Sequence, residues 1–181
     1  MTITKTERLI LREYVKSDLD GLYAILSDAE NMRYYPAPYD EQGTRRWLDW
    51  CTDCYQKYGF GLFAIELKET GEFIGDCGIS IQCIDGELLP EIGYHISKRH
   101  WRCGYAKEAA LAVRDWFFEN TDHDAVFSYM TAENLPSYST AASIGMSRVK
   151  EYSDEDNVPH LVYKISREQW EKIKRKEGEK F

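Results

Sequence analysis

The sequence predicts one domain of the α+β class with a mixed, mostly antiparallel sheet. Its predicted elements run strand, two helices, three strands, helix, strand, helix, two strands and a last helix, so strands come in runs. The strand–helix–strand passage over residues 91–131 requires one parallel pair of strands. No GxGxxG or GxxxxGK(S/T) motif is present, which argues against dinucleotide-binding and P-loop folds.

Hydrophobic periodicity and turn residues place the individual elements. Apolar alternation between turn signals predicts strands at residues 7–14, 61–68, 72–82, 87–97, 124–132, 146–153 and 159–166. Helical spacing predicts helices at residues 16–28, 41–59, 104–120, 134–145 and 167–178, the last with a fraying end. The prolines of residues 32–40 predict a loop, and Gly59 and Gly145 are suited to ending the second and fourth helices.

Composition limits the classes of function. The 181 residues carry a net charge of −8, which disfavours nucleic-acid binding and is compatible with a cationic substrate such as an amine. No apolar run approaches the about 20 residues of a membrane helix, and the early charges of the N-terminus are unlike a signal peptide. We therefore expect a soluble cytoplasmic protein, a single domain over residues 1–181, with no nucleic-acid or membrane partner.

The five cysteines do not form a disulfide framework, because their number is odd and their spacing scattered. Cys51 and Cys54 form a lone CxxC, which has two interpretations. One is a zinc or thiol-redox site. The other, which we favour, places both thiols with Trp47 and Trp50 on the apolar face of a helix, because no second pair is near in sequence. We expect no metal.

The segment WRCGYA, residues 101–106, lies between a predicted strand and a predicted helix. The first N–H groups of a helix have no partner inside the helix, and its dipole favours an anion there. Gly104 permits the backbone to turn and to approach a ligand closely. Such a turn is a candidate phosphate site, to which the Arg102 side chain either contributes a clamp or, pointing to solvent, contributes nothing.

With its neighbours, this segment resembles the GNAT superfamily of acyl-CoA-dependent N-acetyltransferases, in particular the ribosomal-protein N-terminal (alanine/serine) acetyltransferase branch. WRCGYA is similar to that branch's Trp-Gly-x-Gly-Tyr-Ala and departs from it at Arg102. TERLILRE, EIGYHI and ENLPSYSTAASIGM resemble its opening strand, its central strand and its Glu-Asn-x-x-Ser…Gly-Phe segment, with Met146 in place of Phe. The resemblance covers nearly the whole chain.

The resemblance implies a three-layer α/β/α domain whose central sheet splays between the strands at residues 91–96 and 125–131. Acetyl-CoA, the expected co-substrate, would lie in that gap, with its pyrophosphate on the loop N–H groups and its pantetheine along the strand backbone. The implied cofactor-binding residues are Tyr94, His95, Ile96, Trp101, Arg102, Cys103, Gly104, Tyr105, Ala106, Asn134 and Ser137.

Acetyl transfer to an amine needs a base, a donor for the thioester oxygen and a group that tolerates the departing thiolate. Glu91 is the candidate base, directly or through water. Ser137 is the candidate hydrogen-bond donor to the thiolate, and Tyr138 is its rival, with a phenol whose ordinary pKa is near 10. Asn134 is expected to orient the cofactor or a water, to cap a helix, or to do both.

Other features leave alternatives open. His95 and His100 are either structural or in contact with substrate, and Cys103 would suit a covalent acetyl-enzyme only if a base lay beside it. The aromatic and acidic residues 32–41 either line an acceptor pocket or form a packed loop. The acceptor is expected to be a peptide or small-molecule amine, and a homodimer is possible. A non-catalytic acyl-CoA-binding module would keep WRCGYA without needing Glu91 or Ser137.

Overall fold

The computed structural model describes residues 1–179, which form eight strands and five α-helices. The strands are β1 (Thr2–Lys5), β2 (Leu9–Arg12), β3 (Leu62–Leu67), β4 (Phe73–Ile84), β5 (Glu87–Ile96), β6 (Ala125–Thr131), β7 (Ser147–Ser153) and β8 (Pro159–Ser166). The helices are α1 (Leu19–Leu26), α2 (Glu41–Tyr58), α3 (Tyr105–Asn120), α4 (Leu135–Ser143) and α5 (Arg167–Gly178).

Hydrogen bonds join the strands into one sheet in the order β1-β2-β3-β4-β5-β6-β8-β7. The β5–β6 pair is parallel, with Glu91 opposite Phe127. The pairs β1–β2, β2–β3, β3–β4, β6–β8 and β7–β8 are antiparallel. The predicted α+β class and the mixed, mostly antiparallel sheet are therefore confirmed.

The strand predicted at residues 7–14 is present as the shorter β2, but the prediction missed β1, which precedes it. Thr6 turns the backbone between the two strands. Thr6 N donates to Leu9 O at 3.0 Å, and Leu9 N donates to Thr6 Oγ1 at 2.9 Å. The first helix is also shorter than predicted, since its beginning, Lys16–Asp18, is a 3₁₀ turn.

Contacts within the chain define two compact units. The first consists of Met1–Ser80 and Gly93–Val113, and the second of Ile81–Ile92 and the chain from Arg114 onward. A single domain remains a prediction. None of the helices among residues 1–179 is long and apolar enough to cross a lipid bilayer.

The core of the first unit lies where α1 and α2 cover β2 and β3. Its buried members are Tyr14, Leu22, Leu26, Met32, Leu48, Cys51, Leu62 and Ala64. Burying one large apolar side chain contributes about 1.5–3 kcal/mol, so this cluster is a main source of the unit's stability. Trp47 and Trp50 pack against it, as predicted for this face of α2.

An ion pair fixes the entry of α1 against the sheet. Arg12 on β2 donates from two nitrogens to the carboxylate of Asp18, each at 2.7 Å, and from Nε to Glu66 on β3 at 2.9 Å. Bidentate contacts of this kind restrict both side chains. The hydrogen bond that Arg12 donates to Asp18 raises the pKa of Arg12; burial opposes this effect, and the hydrogen bond that Arg12 donates to Glu66 adds to it.

The second unit has its own apolar core beneath α4 and β6–β8. Its buried members include Phe117, Phe118, Val126, Met130, Ile144, Met146, Leu161, Val162 and Ile165. Arg114 is buried among them at 2% exposure and donates to Ile144 O at 2.5 Å. Its charge is balanced by Asp115, 2.6 Å away.

Candidate active site

In the first unit, the loop between β5 and α3 has the turn predicted for an anion site. A 3₁₀ turn, Lys98–His100, ends β5, and α3 begins at Tyr105. Arg102 (φ 61°) and Gly104 (φ 82°) both lie in the left-handed region. The backbone thus turns tightly before it enters α3, whose first-turn N–H groups have no partner within the helix.

A clasp that the sequence analysis did not single out holds this loop. Arg8 donates from Nη1 to Cys103 O at 3.0 Å, and its guanidinium lies 4.4 Å from the ring centroid of Tyr105. Its Nε also donates to Glu108 on α3 at 2.7 Å. Because Arg8 donates a hydrogen bond to Cys103 O, this carbonyl is directed toward Arg8. That arrangement favours a loop whose carbonyl points away from a bound anion.

Glu108 is the acidic member of the clasp. Partial burial opposes its ionisation, but hydrogen bonds from Thr6, from Arg8 N and from the Arg8 side chain outweigh burial and lower the pKa of Glu108. Thr6 and Arg8 belong to the TERLILRE segment, whose resemblance to the family was the only sequence signal for them. Arg8 and Glu108 are 100 positions apart in the sequence, so no local pattern indicated their contact.

Trp101 and Ile96, both predicted to bind the cofactor, contact each other. The indole Nε1 of Trp101 donates to Ile96 O at 2.7 Å, and Asn31 Nδ2 donates to the same oxygen at 2.8 Å. With its carbonyl used in this way, Ile96 is a poorer acceptor for a pantetheine amide. The guanidinium of Arg33 also lies over the ring of Trp101, 5.3 Å from the ring centroid.

The remaining loop residues differ in their surroundings. Arg102 and Cys103 are exposed, and Cys103 Sγ lies 3.5 Å from Trp101 O. His100 contacts Glu72 at 3.1 Å and the edge of Tyr105. Ala106 is half-buried, while Ala109, Ala110, Val113 and Phe117 form the fully buried face of α3.

The side chain of His95 is buried in a chain of hydrogen bonds. Its Nδ1 lies 2.8 Å from Asp76 Oδ1, and its Nε2 lies 2.7 Å from the hydroxyl of Tyr35. Tyr14 donates from its hydroxyl to Asp76 Oδ2 at 2.7 Å. Burial, followed by the charge of Asp76, raises the pKa of Tyr14 well above its ordinary value.

In the second unit, Glu91 lies at the parallel β5–β6 pairing and is 8% exposed. Next to it, Ser128 Oγ donates to Ile92 O at 3.2 Å. Burial, and then the charge of Glu91, raise the pKa of Tyr129 to about 12. Glu91 is therefore a buried carboxylate with a neutral phenol in its electrostatic range.

Asn134 caps α4, which is one of its two predicted roles. Its Oδ1 accepts a hydrogen bond from Ser137 N at 3.2 Å. Ser137 and Tyr138, the two candidates beside the thiolate, are both half-buried in the first turns of α4. Tyr138 stacks on Tyr163, with ring centroids 6.4 Å apart and planes within 3°.

The cysteine pair lies in the core of the first unit. Cys51 is fully buried and Cys54 is 5% exposed. Burial, followed by the charge of Asp76, raises the pKa of the Cys51 thiol, so its thiolate is disfavoured. No group of three His, Cys, Asp or Glu side chains among residues 1–179 has the arrangement of metal ligands.

Comparisons with known proteins identify the family. A profile described as "Acetyltransferase (GNAT) domain" matches residues 8–147. The uncharacterized protein YkkB of Bacillus subtilis (strain 168) is 36% identical over 159 residues, which are 87% of this chain and 92% of YkkB. The uncharacterized N-acetyltransferase p20 of Bacillus licheniformis is 32% identical over 146 residues, 79% of this chain and 81% of p20.

Solved structures agree with this assignment. The acetyltransferase from Agrobacterium tumefaciens has a TM-score of 0.78 and 30% identity, covering 90% of this chain and 92% of its own. The chain therefore belongs to the GNAT acetyltransferase family, and the predicted enzyme class, an acetyl-CoA-dependent N-acetyltransferase, is confirmed.

Two more distant structures share the fold alone. The ribosomal L7/L12 α-N-protein acetyltransferase RimL, in complex with coenzyme A, has a TM-score of 0.76 and 16% identity, covering 92% of this chain and 98% of RimL. The spermidine N-acetyltransferase of Vibrio cholerae, in complex with coenzyme A and spermine, has a TM-score of 0.75 and 16% identity, covering 91% of this chain and 99% of its own.

Proposed function

We propose that the enzyme transfers the acetyl group of acetyl-CoA to a primary amine by direct attack in a ternary complex. The observation that carries this proposal is the loop between β5 and α3. Its left-handed residues Arg102 and Gly104 lead into the N-terminus of α3, and Arg8 fixes it from behind. An anion such as the CoA pyrophosphate is suited to that backbone, which spans residues 101–106.

The proposed base is Glu91. An ammonium acceptor releases two protons from its nitrogen as it becomes an amide, so a nearby group has to accept one of them. Glu91 is held by β5 at 8% exposure, so its position is well defined. The raised pKa of Tyr129 keeps that phenol neutral at physiological pH, so Tyr129 does not compete with Glu91 for the proton.

Departure of the CoA thiolate is the step proposed for Ser137 or Tyr138. The hydroxyl of Ser137 would stabilise the thiolate by a hydrogen bond, whereas Tyr138 would supply a phenol proton. The stacking of Tyr138 on Tyr163 fixes its ring and supports either a structural or a catalytic role. Turnover of Ser137→Ala and Tyr138→Phe, measured separately, distinguishes the two, since only the participating residue lowers kcat.

The acceptor is proposed to be a protein N-terminus or a small-molecule amine. By their names, the two distant fold neighbours act on a protein α-amino group and on spermidine, which are both amines. The net charge of −8 favours a cationic acceptor in either case.

The direct test measures CoA release from acetyl-CoA with a panel of free N-terminal peptides and polyamines. Turnover with at least one amine, and a loss of about 100-fold or more in Glu91→Gln, are expected. Asp49→Ala, on the exposed face of α2, is the control. Tight CoA binding without turnover on any amine would instead support a non-catalytic CoA-binding module.

A further inference from the structure

The hydrogen-bonded chain in the first unit joins an exposed phenol to a buried carboxylate. Tyr35 is 40% exposed, His95 is 9% exposed and Asp76 is completely buried. Tyr35 lies in the loop after α1, His95 on β5 and Asp76 on β4. Three separate segments thus contribute one member each to a path that runs from the surface into the core.

The donors around Asp76 determine where the protons are. Its carboxylate receives the hydroxyl of Tyr14 at 2.7 Å and the backbone N–H of His95 at 3.1 Å. The backbone N–H can only donate, and the Tyr14 hydroxyl donates to the other carboxylate oxygen, which suits an ionised carboxylate. The third contact, from His95 Nδ1 at 2.8 Å, is then also a donated hydrogen bond, so the proton of the neutral imidazole lies on Nδ1.

The other ring nitrogen of His95 is consequently a proton acceptor. With Nδ1 protonated, Nε2 presents a lone pair to the Tyr35 hydroxyl, 2.7 Å away. A base oriented by a buried carboxylate on one side and bonded to a hydroxyl on the other is the general arrangement of an activated catalytic pair. Here the hydroxyl belongs to the more exposed residue.

Aromatic rings and neutral side chains surround the hydrogen-bonded pair of Tyr35 and His95. The ring of Trp47 packs edge-on against His95, with centroids 5.5 Å apart, and the ring of Tyr35 lies 5.4 Å away. The titratable groups that face this network from the neighbouring elements are Tyr14 after β2, Asp76 on β4, and Cys51 and Tyr55 on α2. Burial raises the pKa of both Cys51 and Tyr55, so they stay neutral and Asp76 supplies the charge.

Acetylation of an amine that starts as an ammonium ion removes two protons from its nitrogen. The first leaves when the ammonium ion becomes the neutral amine, and the second leaves when the amine becomes an amide. We propose that Tyr35, His95 and Asp76 form a proton relay that receives the first proton, from the ammonium form of the acceptor. This inference rests on the proposed function and deepens it, since it specifies a cationic acceptor that reaches Tyr35.

The step balances without any further reactant. The ammonium N–H bond breaks as its proton bonds to the Tyr35 oxygen, and the Tyr35 O–H bond breaks as its proton bonds to His95 Nε2. The nitrogen keeps its electron pair and becomes a neutral nucleophile. The resulting imidazolium is paired with the Asp76 carboxylate, and it returns its proton to water by the same path after the product leaves.

The kinetic test compares two amines in Tyr35→Phe. An alkylamine is protonated at neutral pH and needs the relay, whereas an arylamine of low basicity is already neutral. We expect kcat/KM for the alkylamine to fall about 100-fold, with a loss below about 3-fold for the arylamine. Tyr23→Phe, on α1 and 39% exposed, is the matched control and should behave as the wild type with both amines.

The ratio of the two losses distinguishes a relay from a structural role, because a structural defect slows turnover of both amines alike. Equal losses for both amines in Tyr35→Phe, or no loss for either, would overturn the relay while leaving the acetyltransferase function intact. A wild type that acetylates no amine would overturn the proposed function itself.

Nitrogen NMR of the His95 ring tests the relay without any turnover. At neutral pH the spectrum should contain the tautomer with a proton on Nδ1 and none on Nε2. A proton on Nε2 would make His95 a donor to Tyr35 and would overturn the relay whatever the kinetics. Because this measurement uses the folded wild type, it does not depend on how the variants fold.

Discussion

At the scale of single residues, Arg102 is the position where the sequence departs from the family pattern and where the backbone is least suited to its side chain. The related branch commonly has glycine there, and in this structure Arg102 adopts φ 61°, in the left-handed region. That conformation costs a residue with a Cβ roughly 1–2 kcal/mol. The strain indicates that the loop conformation is imposed by its neighbours, with Gly104 and the Arg8 contact the clearest of them.

Replacing Arg102 by glycine should therefore raise the free energy of unfolding by about 1 kcal/mol. Arg102→Ala keeps a Cβ at the same φ and should show no such gain, so it is the matched control. Urea unfolding measures both. Equal free energies of unfolding for the two variants would contradict backbone strain at Arg102.

The same pair of variants tests the phosphate clamp. If the Arg102 side chain binds the CoA pyrophosphate, both variants should bind CoA about 10-fold more weakly, as expected for the loss of a charge-assisted hydrogen bond of about 1.5 kcal/mol. Calorimetric titration with CoA gives the comparison. Unchanged affinity in both would assign phosphate binding to the backbone.

Residues that act in pairs were the hardest to predict. His95 was named from the strand that carries it, but its partner Asp76 is 19 residues away and Tyr35 is 60 residues away. Such contacts depend on strand register and loop packing, which leave no periodic signal in one sequence. Local features such as Gly59 and Asn134 were predictable because a helix end requires only neighbouring residues.

At the scale of elements, α2 illustrates how local sequence defines a helix. Asp40 caps its N-terminus by accepting a hydrogen bond from Gly43 N at 2.6 Å, and Gly59 ends it with φ 75°. Both ends were predicted within a residue. Strand β1 was not predicted, because the turn at Thr6 that separates it from β2 is formed by a side-chain hydrogen bond and not by a typical turn residue.

Removing the cap of α2 with Asp40→Ala should lower the free energy of unfolding by about 1 kcal/mol, because Gly43 N loses its acceptor. Asp49→Ala removes an exposed carboxylate from the same helix and serves as the control. Thermal or urea unfolding of both variants measures the difference. An Asp40→Ala protein as stable as Asp49→Ala would contradict the capping role, and Asp40→Asn should restore most of the loss.

At the scale of the whole molecule, the order of elements was the most reliable prediction. One parallel pair within an antiparallel sheet follows from the strand–helix–strand passage, because a strand that returns through a helix on one side of the sheet runs in the same direction as the first. The structure has that pair at β5 and β6. The assignment of substrate required more than topology, since related folds act on chemically different amines.

The response of stability to acid depends on carboxylates whose pKa is lowered in the folded protein, and Glu108 is one that also helps to hold the loop between β5 and α3. Hydrogen bonds from Thr6 and Arg8 outweigh partial burial and lower its pKa below the ordinary value of 4.5. A lowered folded pKa contributes stability that is present above the unfolded pKa and is lost as the pH falls through the folded value. The wild type should therefore lose this contribution as the pH falls below about 4.5.

Glu108→Gln should remove that contribution, so its free energy of unfolding should depend less on pH between about 5 and about 3, an interval chosen around the ordinary glutamate pKa of 4.5. Arg8 is 43% exposed, and solvent screening keeps the difference at pH 7 within about 1 kcal/mol. Urea unfolding across this interval provides the measurement, with Glu41→Gln, in an exposed pair with Arg45, as the control. If the clasp also orders the loop, Glu108→Gln should bind CoA more weakly at pH 7, whereas Glu41→Gln should bind it as the wild type does. Parallel acid profiles of the wild type and Glu108→Gln would contradict a lowered pKa at Glu108.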